Sequence, residues 1–518
     1  MTAHSPGPAT WRRACIALAV LIGLCGCDLA PDYHPPQYVL PADYQGSGPF
    51  TIARPRDAPP RGPWWERFDD AFLNQLEQQL TADNPDLAAL AEQYTQARDL
   101  AAEARSQLFP QVSAGGLLSD NKESLHRLFL SPNSTAPLEE TSNQIVATAS
   151  WEPDFWDAIR NSTRVQQRLA QASAASLASA RLSLQAELAS DYIALRGLDT
   201  QEAVYRGSVT YYQKAVQITT QRLQGHIGSA LDVARAQAQL ASTEALQTGV
   251  LASRALREHA IAVLVGVNPS NFSIPVADEP RLAVPVVPVG LPSQLLERRP
   301  DVASAERQMA SANAAIGVSR AAFYPNITLS VVGGFEDSGF NLTSLPNALW
   351  TIGASAVVPI FEGGLRRAEL QRSWSQYAQA RDSYRSTVLR AFQDVEDGLA
   401  LTQHLQEQTQ QQARAVADAY RAQALTLQLY IGGLTNYLDV VVAQETALNA
   451  RTLEVQVQVS RLQATVTLIR ALGGGWSAAD LPTENEVLPF GPLDYTDGGD
   501  QRRPDGTQQD TNAPSKPS

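Results

Sequence analysis

The chain has 518 residues, 44% hydrophobic and 18% charged, with a formal net charge of −13. That composition suits a folded protein long enough for several domains. Acidity without a basic patch argues against nucleic acid as a partner.

Residues 1–26 read as a leader that is removed. Arg12 and Arg13 supply a positive start, and Ala14 to Leu24 form an apolar stretch too short to span a bilayer. Leu24-Cys25-Gly26-Cys27 follows and has the pattern of a bacterial lipobox, with cleavage before Cys27 and lipid on its thiol. An ordinary secretory leader with a stray cysteine is the alternative. Cys15, Cys25 and Cys27 are the three cysteines, so the mature chain keeps one and can form neither a disulfide framework nor a cysteine metal site. Asp28 comes next. In enteric bacteria an aspartate there commonly holds a lipoprotein in the inner membrane, whereas other groups read other positions.

Residues 27–83 read as a lipid-bearing arm and a small packed segment. The proline-rich stretch 28–63 is extended, and Trp64-Trp65 with Phe68 and Phe72 begins the packing. Residues 84–268 form a first unit. A helix runs from Asn84 to Leu108, with Leu87, Leu90, Ala91, Tyr94, Ala97 and Leu100 at helical spacing, and stops at Pro110. A strand at 111–118, a polar loop at 119–142 and a second strand through Ile145, Ala147, Ala149 and Trp151 end at Pro153. From Asp154 to Val267 there is no proline. That span predicts one or two very long helices, with the expected break at Gly225-His226-Ile227-Gly228-Ser229.

A linker covers 269–298, and the programme repeats over 299–476. A helix runs from Arg299-Pro300-Asp301 to Phe323, where Asp301 suits N-terminal capping. A strand follows Pro325, a glycine-rich loop covers 333–347, and a strand through Trp350, Ile352, Ala354, Ala356 and Val358 closes at Pro359. A second proline-free span follows, with its break at Ile431-Gly432-Gly433-Leu434-Thr435. The copies align at an offset of about 215 residues in the first helix and about 207 in the long arms. Gly225 and Leu231-Asp232-Val233 pair with Gly432 and Leu438-Asp439-Val440. An internal repeat this long means two equivalent halves. Pro110, Pro153, Pro325 and Pro359 mark the strand–helix junctions, because proline fixes φ and restricts the residue before it. Residues 477–518 lose periodicity and read as a tail, disordered from Thr496.

The fold class is mainly α with transmembrane β. Each strand is about long enough to cross a bilayer when tilted, with one apolar or small face, and Trp151 and Trp350 would suit an aromatic girdle. Four strands cannot close a barrel, and open edges in lipid leave backbone groups unpaired. Several chains would have to share one barrel. A soluble α+β protein with hairpins under helices is the bland reading. The alanine-rich arms suit a coiled-coil wall, and an arm of roughly 100 Å could bridge the periplasm. Six scattered histidines give no ligand spacing, Gly473-Gly474-Gly475 has no helix after it to cradle a phosphate, and no nucleophile–base pattern stands out. No enzyme, cofactor or metal is expected.

In order along the chain, Cys27 with Pro31 and Tyr33, Trp64-Trp65, Ser150-Trp151-Glu152-Pro153-Asp154, Leu295-Leu296-Glu297-Arg298-Arg299-Pro300-Asp301, Tyr324-Pro325, Pro359-Ile360-Phe361, Ala391 to Asp397 and Ala471-Leu472-Gly473-Gly474-Gly475-Trp476 form a set. On these motifs the chain resembles the outer-membrane efflux channels of the TolC superfamily, in the NodT/OprM-like lipoprotein branch. The resemblance covers roughly residues 27–476. It implies a homotrimer whose protomers give four strands each to a twelve-stranded β-barrel continuous with a long α-helical barrel. It also implies an equatorial domain built from the N- and C-terminal segments. The partners would be outer-membrane lipid, a periplasmic membrane-fusion adaptor and an inner-membrane pump, often of the resistance–nodulation–division type. The protein would then be a passive exit duct for drugs, metabolites or metal ions, lipid-anchored in the outer membrane and extending into the periplasm. The alternative is a lipid-anchored periplasmic coiled-coil scaffold or adaptor.

The resemblance places the periplasmic aperture at Asp439, with Asp232 as its counterpart in the first repeat. A ring of such carboxylates would repel itself and attract cations. Each is otherwise a helix-start residue on a favourable dipole. Thr435 stands where some relatives carry a gate arginine, and Val442 where some carry a second acid. Gly225, Gly228, Gly432 and Gly433 would form the turns that the adaptor touches, or simply end helices.

Overall fold

Proline and glycine punctuation divides the structure, a computed structural model, into two copies of one unit. It describes residues 27–36, 44, 62–122, 124, 139–277, 282–285, 287 and 292–491. The leader 1–26, most of the extended arm and the tail from Thr496 lie outside the described residues.

In the first copy, α1 (Ala71–Asp83) leads into α2 (Pro85–Ser106), β1 (Gln111–Lys122), β2 (Glu139–Trp151), α3 (Ala158–Gln224) and α4 (Ala230–Leu264). A short α5 (Pro292–Arg298) precedes the second copy: α6 (Pro300–Ala321), β3 (Asn326–Asp337), β4 (Ala348–Val357), α7 (Leu365–Ile431) and α8 (Tyr437–Ala471). The lengths repeat: 22 residues in α2 and α6, 67 in α3 and α7, 35 in α4 and α8. At about 1.5 Å per residue each 67-residue helix spans roughly 100 Å. Alpha6 packs between α3 and α7, and α8 lies against both α7 and α3, so the copies share one wall.

The four strands form one antiparallel sheet in chain order, and β2–β3 joins the copies. The strands are longer than their sequence suggests. Beta1 continues to Lys122 and β2 begins at Glu139, inside the stretch 119–142 that reads as loop. Beta3 continues to Asp337, so Gly333 and Gly334 are strand residues, opposite Trp350 and Leu349, within the stretch 333–347 that reads as loop. At Gly334 the reason for glycine is space, since a Cβ would meet the Ile145 carbonyl of β2.

Register sorts the side chains by face. Val112, Ala114 and Gly116 align with Ala149, Ala147 and Ile145. These align in turn with Val331, Gly333 and Phe335, and β3 with Ile352, Trp350 and Ala348. Over this span one face is therefore apolar or small across all four strands, and farther from the helices the same face turns polar at Asp120, Asn143 and Asp337. The other carries Ser113, Thr148, Ser330 and Gly353, with Ser113 and Thr148 hydroxyls 2.7 Å apart. Trp151 ends its strand at the helical junction, whereas Trp350 lies near the opposite rim.

Away from the sheet, the main core joins Phe68, Leu73 and Leu80 to Tyr192, Ile193, Val395 and Leu468. A buried ionic network ties the connecting segment to the long helices. Asp199 accepts from Arg196 at 2.8 Å and Arg254 at 2.6 Å, and these guanidiniums hold the Pro275 and Ile274 carbonyls. Paired and hydrogen-bonded on all sides, such charges tolerate burial.

Two seams recur where a hairpin's second helix ends on the start of a 22-residue helix. Asn84, the N-cap of α2, donates from Nδ2 to the Leu264 carbonyl at 2.8 Å. Arg299, the N-cap of α6, donates from Nη1 to the Ala471 carbonyl at 3.4 Å. Arg299 also grips Asp301 through two bonds, at 3.0 and 2.7 Å, and Asp394 at 2.9 Å. Asp301 therefore binds the N-cap guanidinium, a different role from the capping its position suggests. Residues 477–491 run back along α2 and α3. Val487 is buried, its carbonyl accepts from Arg98, and the Pro482 and Glu484 carbonyls accept from Gln171 and Gln167.

Candidate functional site: two coupled hairpin tips

Each long hairpin turns in a few residues. In the first, α3 ends at Gln224, and Ser229 caps α4 by accepting from Leu231 N–H at 3.1 Å. In the second, α7 ends at Ile431, and Asn436 caps α8 by accepting from Asp439 N–H at 3.1 Å. The left-handed residues are His226, at φ 57°, and Gly433, at φ 75°. Gly225 and Gly432 have negative φ, at −79° and −73°, and use none of glycine's extra freedom. Gly228 is needed for room: a Cβ would come within 2.9 Å of the Arg222 Cβ.

Asp232 and Asp439 both lie in the first turn of their helices, where the dipole favours a carboxylate. Their surroundings differ. Asp439 is exposed and accepts a hydrogen bond from the Thr435 hydroxyl. Asp232 is half-buried and accepts from the Tyr430 hydroxyl at 3.2 Å. No bond joins Asp232 to Asp439 among the described residues.

Tyr430 is the hub. The Arg222 guanidinium lies over its ring at 4.8 Å and donates to the Ile431 carbonyl at 3.1 Å. Tyr437 meets it edge-on at 5.1 Å, and Ala236 and Val440 complete a small buried cluster. Burial first, and the Asp232 charge second, push the Tyr430 hydroxyl above its ordinary pKa. It stays protonated and can donate at any physiological pH. Arg222 and Tyr430 were not readable from the repeat. Their counterparts, Leu429 and Leu223, differ in type, so aligning the copies finds the aspartates and passes over the bond between non-equivalent positions. An arginine and a tyrosine in the last turns before a glycine break were the available signal.

At the other end of the wall the four prolines lie beside the sheet. Trp151 Nε1 donates to the Leu108 carbonyl at 3.0 Å, and Trp156 Nε1 to the Pro325 carbonyl at 2.9 Å, so the junctions of the two copies are cross-braced. Ile360 and Phe361, just past Pro359, are almost fully exposed in the single protomer. Cys27 is exposed and lies at the same level, its backbone N–H donating to the Phe155 carbonyl at 3.1 Å. Among the described residues no helix is long and apolar enough to cross a membrane, and no group of His, Cys, Asp and Glu could hold a metal ion.

This arrangement has relatives. The family model described as outer membrane efflux protein matches residues 76–267 and 291–474, one match over each copy. The chain is 30% identical over 468 residues to the pyoverdine export outer membrane protein OpmQ of Pseudomonas aeruginosa, covering 89% of this chain and 96% of that protein. It is 27% identical over 470 residues to the cation efflux system protein CusC of Escherichia coli, covering 89% and 98%. Among solved structures, the outer-membrane channel OprN superposes with a TM-score of 0.80 at 28% identity, covering 87% of this chain and 100% of that one. The outer membrane protein VceC of Vibrio cholerae gives 0.74 at 26% identity, covering 80% and 98%.

Proposed function

The chain belongs to the outer membrane efflux protein family, and from that premise we propose that it is the exit duct of a tripartite efflux system. It would passively carry small molecules from an inner-membrane transporter and a periplasmic adaptor across the outer membrane. The carrying observation is the four-stranded sheet with one face apolar or small along the half nearer the helices, set at the end of helices of roughly 100 Å. A lipid-anchored periplasmic scaffold has no use for such a face.

In one protomer β1 and β4 are open edges, which lipid does not tolerate. Three copies would close a twelve-stranded barrel with the apolar faces outward and the serine- and threonine-bearing faces inward, and the long helices would continue it as an α-barrel. On this reading the two units would span 84–268 and 299–476. Lipid on Cys27 would secure the same end of the wall. At the far end, Asp439 with Thr435, and Asp232 with Tyr430, would line the closed aperture. The turns at Gly225, Gly228, Gly432 and Gly433 would face the adaptor, and the pump would be of the resistance–nodulation–division type. The relatives' names mention pyoverdine in one case and cations in another, so this wall is compatible with unlike cargoes. The pump would choose the cargo and supply the energy.

Planar-bilayer recording of the purified full-length protein tests the reading. Small, cation-preferring conductance is expected, rising in Asp439→Ala. Absence of channels in both proteins would overturn the duct, whereas unchanged conductance and selectivity in Asp439→Ala would overturn only the aperture assignment.

A further inference from the structure

The two hairpins carry the same arginine in different company. The 207-residue offset sets Arg254 of α4 onto Arg461 of α8. Arg254 is buried and fully engaged. It donates from Nε to Asp199 at 2.6 Å, from Nη1 to Glu258 at 3.1 Å and from Nη2 to the Ile274 carbonyl at 2.7 Å. At the same offset Asp199 becomes Gln406 and Glu258 becomes Thr465. The second copy thus keeps the guanidinium and lacks both acids. Arg461 is half-buried, and its Nε is shut off from water with no hydrogen-bond partner. Its guanidinium pairs with no carboxylate among the described residues.

Arg461 lines a cavity of about 350 Å³ between α3, α7, α8 and the connecting segment. That volume lies at the lower end of small-molecule sites, about 300–1,000 Å³. Part of the lining is apolar, from Ile193 of α3, Leu462 of α8, and Leu282 and Val284 of the connecting segment. Thr200, Thr409 and Gln458 are polar, and no acid lines the cavity among the described residues. Arg196 also borders it, but its bonds go to Tyr192, Asp199 and the Pro275 carbonyl, so its charge is answered within the protein. The walls are pinned. Gly197 brings α3 against α8, since a Cβ there would overlap Val459 Cγ2, and the Ala283 N–H donates to the Phe68 carbonyl at 3.2 Å.

An unanswered charge beside apolar surface is costly, and a guanidinium takes a carboxylate through two parallel N–H bonds. We propose that this cavity binds a small amphiphilic carboxylate. Its head group takes the place beside Arg461 that Asp199 and Glu258 hold beside Arg254, and its short hydrocarbon part lies on Ile193, Leu282 and Leu462. The bound molecule joins α3 of the first hairpin, α8 of the second and the connecting segment. The site lies apart from the tips and the sheet and does not rest on the exit-duct reading.

The test is saturation-transfer NMR on the purified full-length protein in a neutral detergent. Hexanoate is the probe, hexanol its uncharged counterpart, and protein-free micelles the blank. Wild type should transfer saturation to hexanoate several-fold more than to hexanol. Arg461→Gln should cut the hexanoate signal several-fold. Gln458→Glu keeps the arginine and sets a carboxylate one helical turn from it, and should cut the signal to the same extent. Heat-dependent gel migration checks that each variant assembles, and either one suffices. A hexanoate signal that persists in an assembled variant would overturn the proposal, as would no signal in wild type. Hexanol bound as well as hexanoate would reveal an apolar cavity only and overturn it too.

Discussion

His226 and Gly433 hold the same left-handed backbone position in the two hairpin tips, at φ 57° and 75°, although one of them carries a side chain. They are related by the 207-residue offset that carries α3, starting at 158, onto α7, starting at 365. A Cβ in that region is strained, so His226→Gly should stabilise the first tip locally by roughly 0.5–1 kcal/mol. Slower amide exchange across residues 222–232 would report it. Unchanged or faster exchange would show that the imidazole offsets the strain.

Tyr430→Phe removes the hydroxyl bond from the second hairpin to Asp232 while keeping the ring under Arg222. The loss should be on the order of 1 kcal/mol per protomer. In single-channel recordings the variant should open more often than wild type at the same voltage. If its open probability is unchanged, the bond does not restrain the tips.

Gly473→Ala should be far more damaging than a typical single substitution. Gly473 sits at φ 91°, and an added Cβ would overlap the Arg298 carbonyl oxygen. Gly266, its counterpart at φ 73°, meets the Asp83 carbonyl in the same way. Both alanine variants should yield little heat-resistant assembled protein on gels. Normal yields would mean that the seams yield more readily than the packing indicates.

Glu77 gives the fold a pH dependence. It is fully buried in α1, its carboxyl oxygens have no partner among the described residues, and burial raises its pKa well above the usual value. A raised carboxyl pKa means that the folded state prefers the protonated form. Its contribution is therefore fully present below the ordinary carboxyl range, and is lost as pH rises from there toward the raised value. Thermal unfolding in detergent should show stability declining from pH 5 to 8, and Glu77→Gln should flatten that decline. Parallel curves for the two proteins would assign the slope to other groups.

The long helices were legible because each needs only an uninterrupted, proline-free run rich in helix formers, and such runs occur twice. Strand ends were not legible. Gly333, Gly334 and the polar ends of β1 and β2 look like turn residues until cross-strand pairing holds them. Asp301 looked like a cap because sequence shows its distance from the helix start and hides the Arg299 side chain folded back onto it. Asp439 is legible through its motif position and Asp232 as its counterpart in the repeat, whereas Tyr430 is not, since its bond breaks the symmetry. The hydrogen bonds of Asp28 with Asn161 and Arg164 join residues more than a hundred positions apart and leave no periodic trace.

The two seams are built alike but respond differently to the medium. Asn84 closes the first with a neutral hydrogen bond, whereas Arg299 closes the second with help from Asp301 and Asp394, whose side chains are 35% and 44% exposed. Dissolved ions weaken the second and leave the first nearly untouched. Each protomer thus has one joint closed by a neutral bond and one softened by salt. If the wall ever flexes at its waist, the bend should begin at the charged joint, and brine should make it easier.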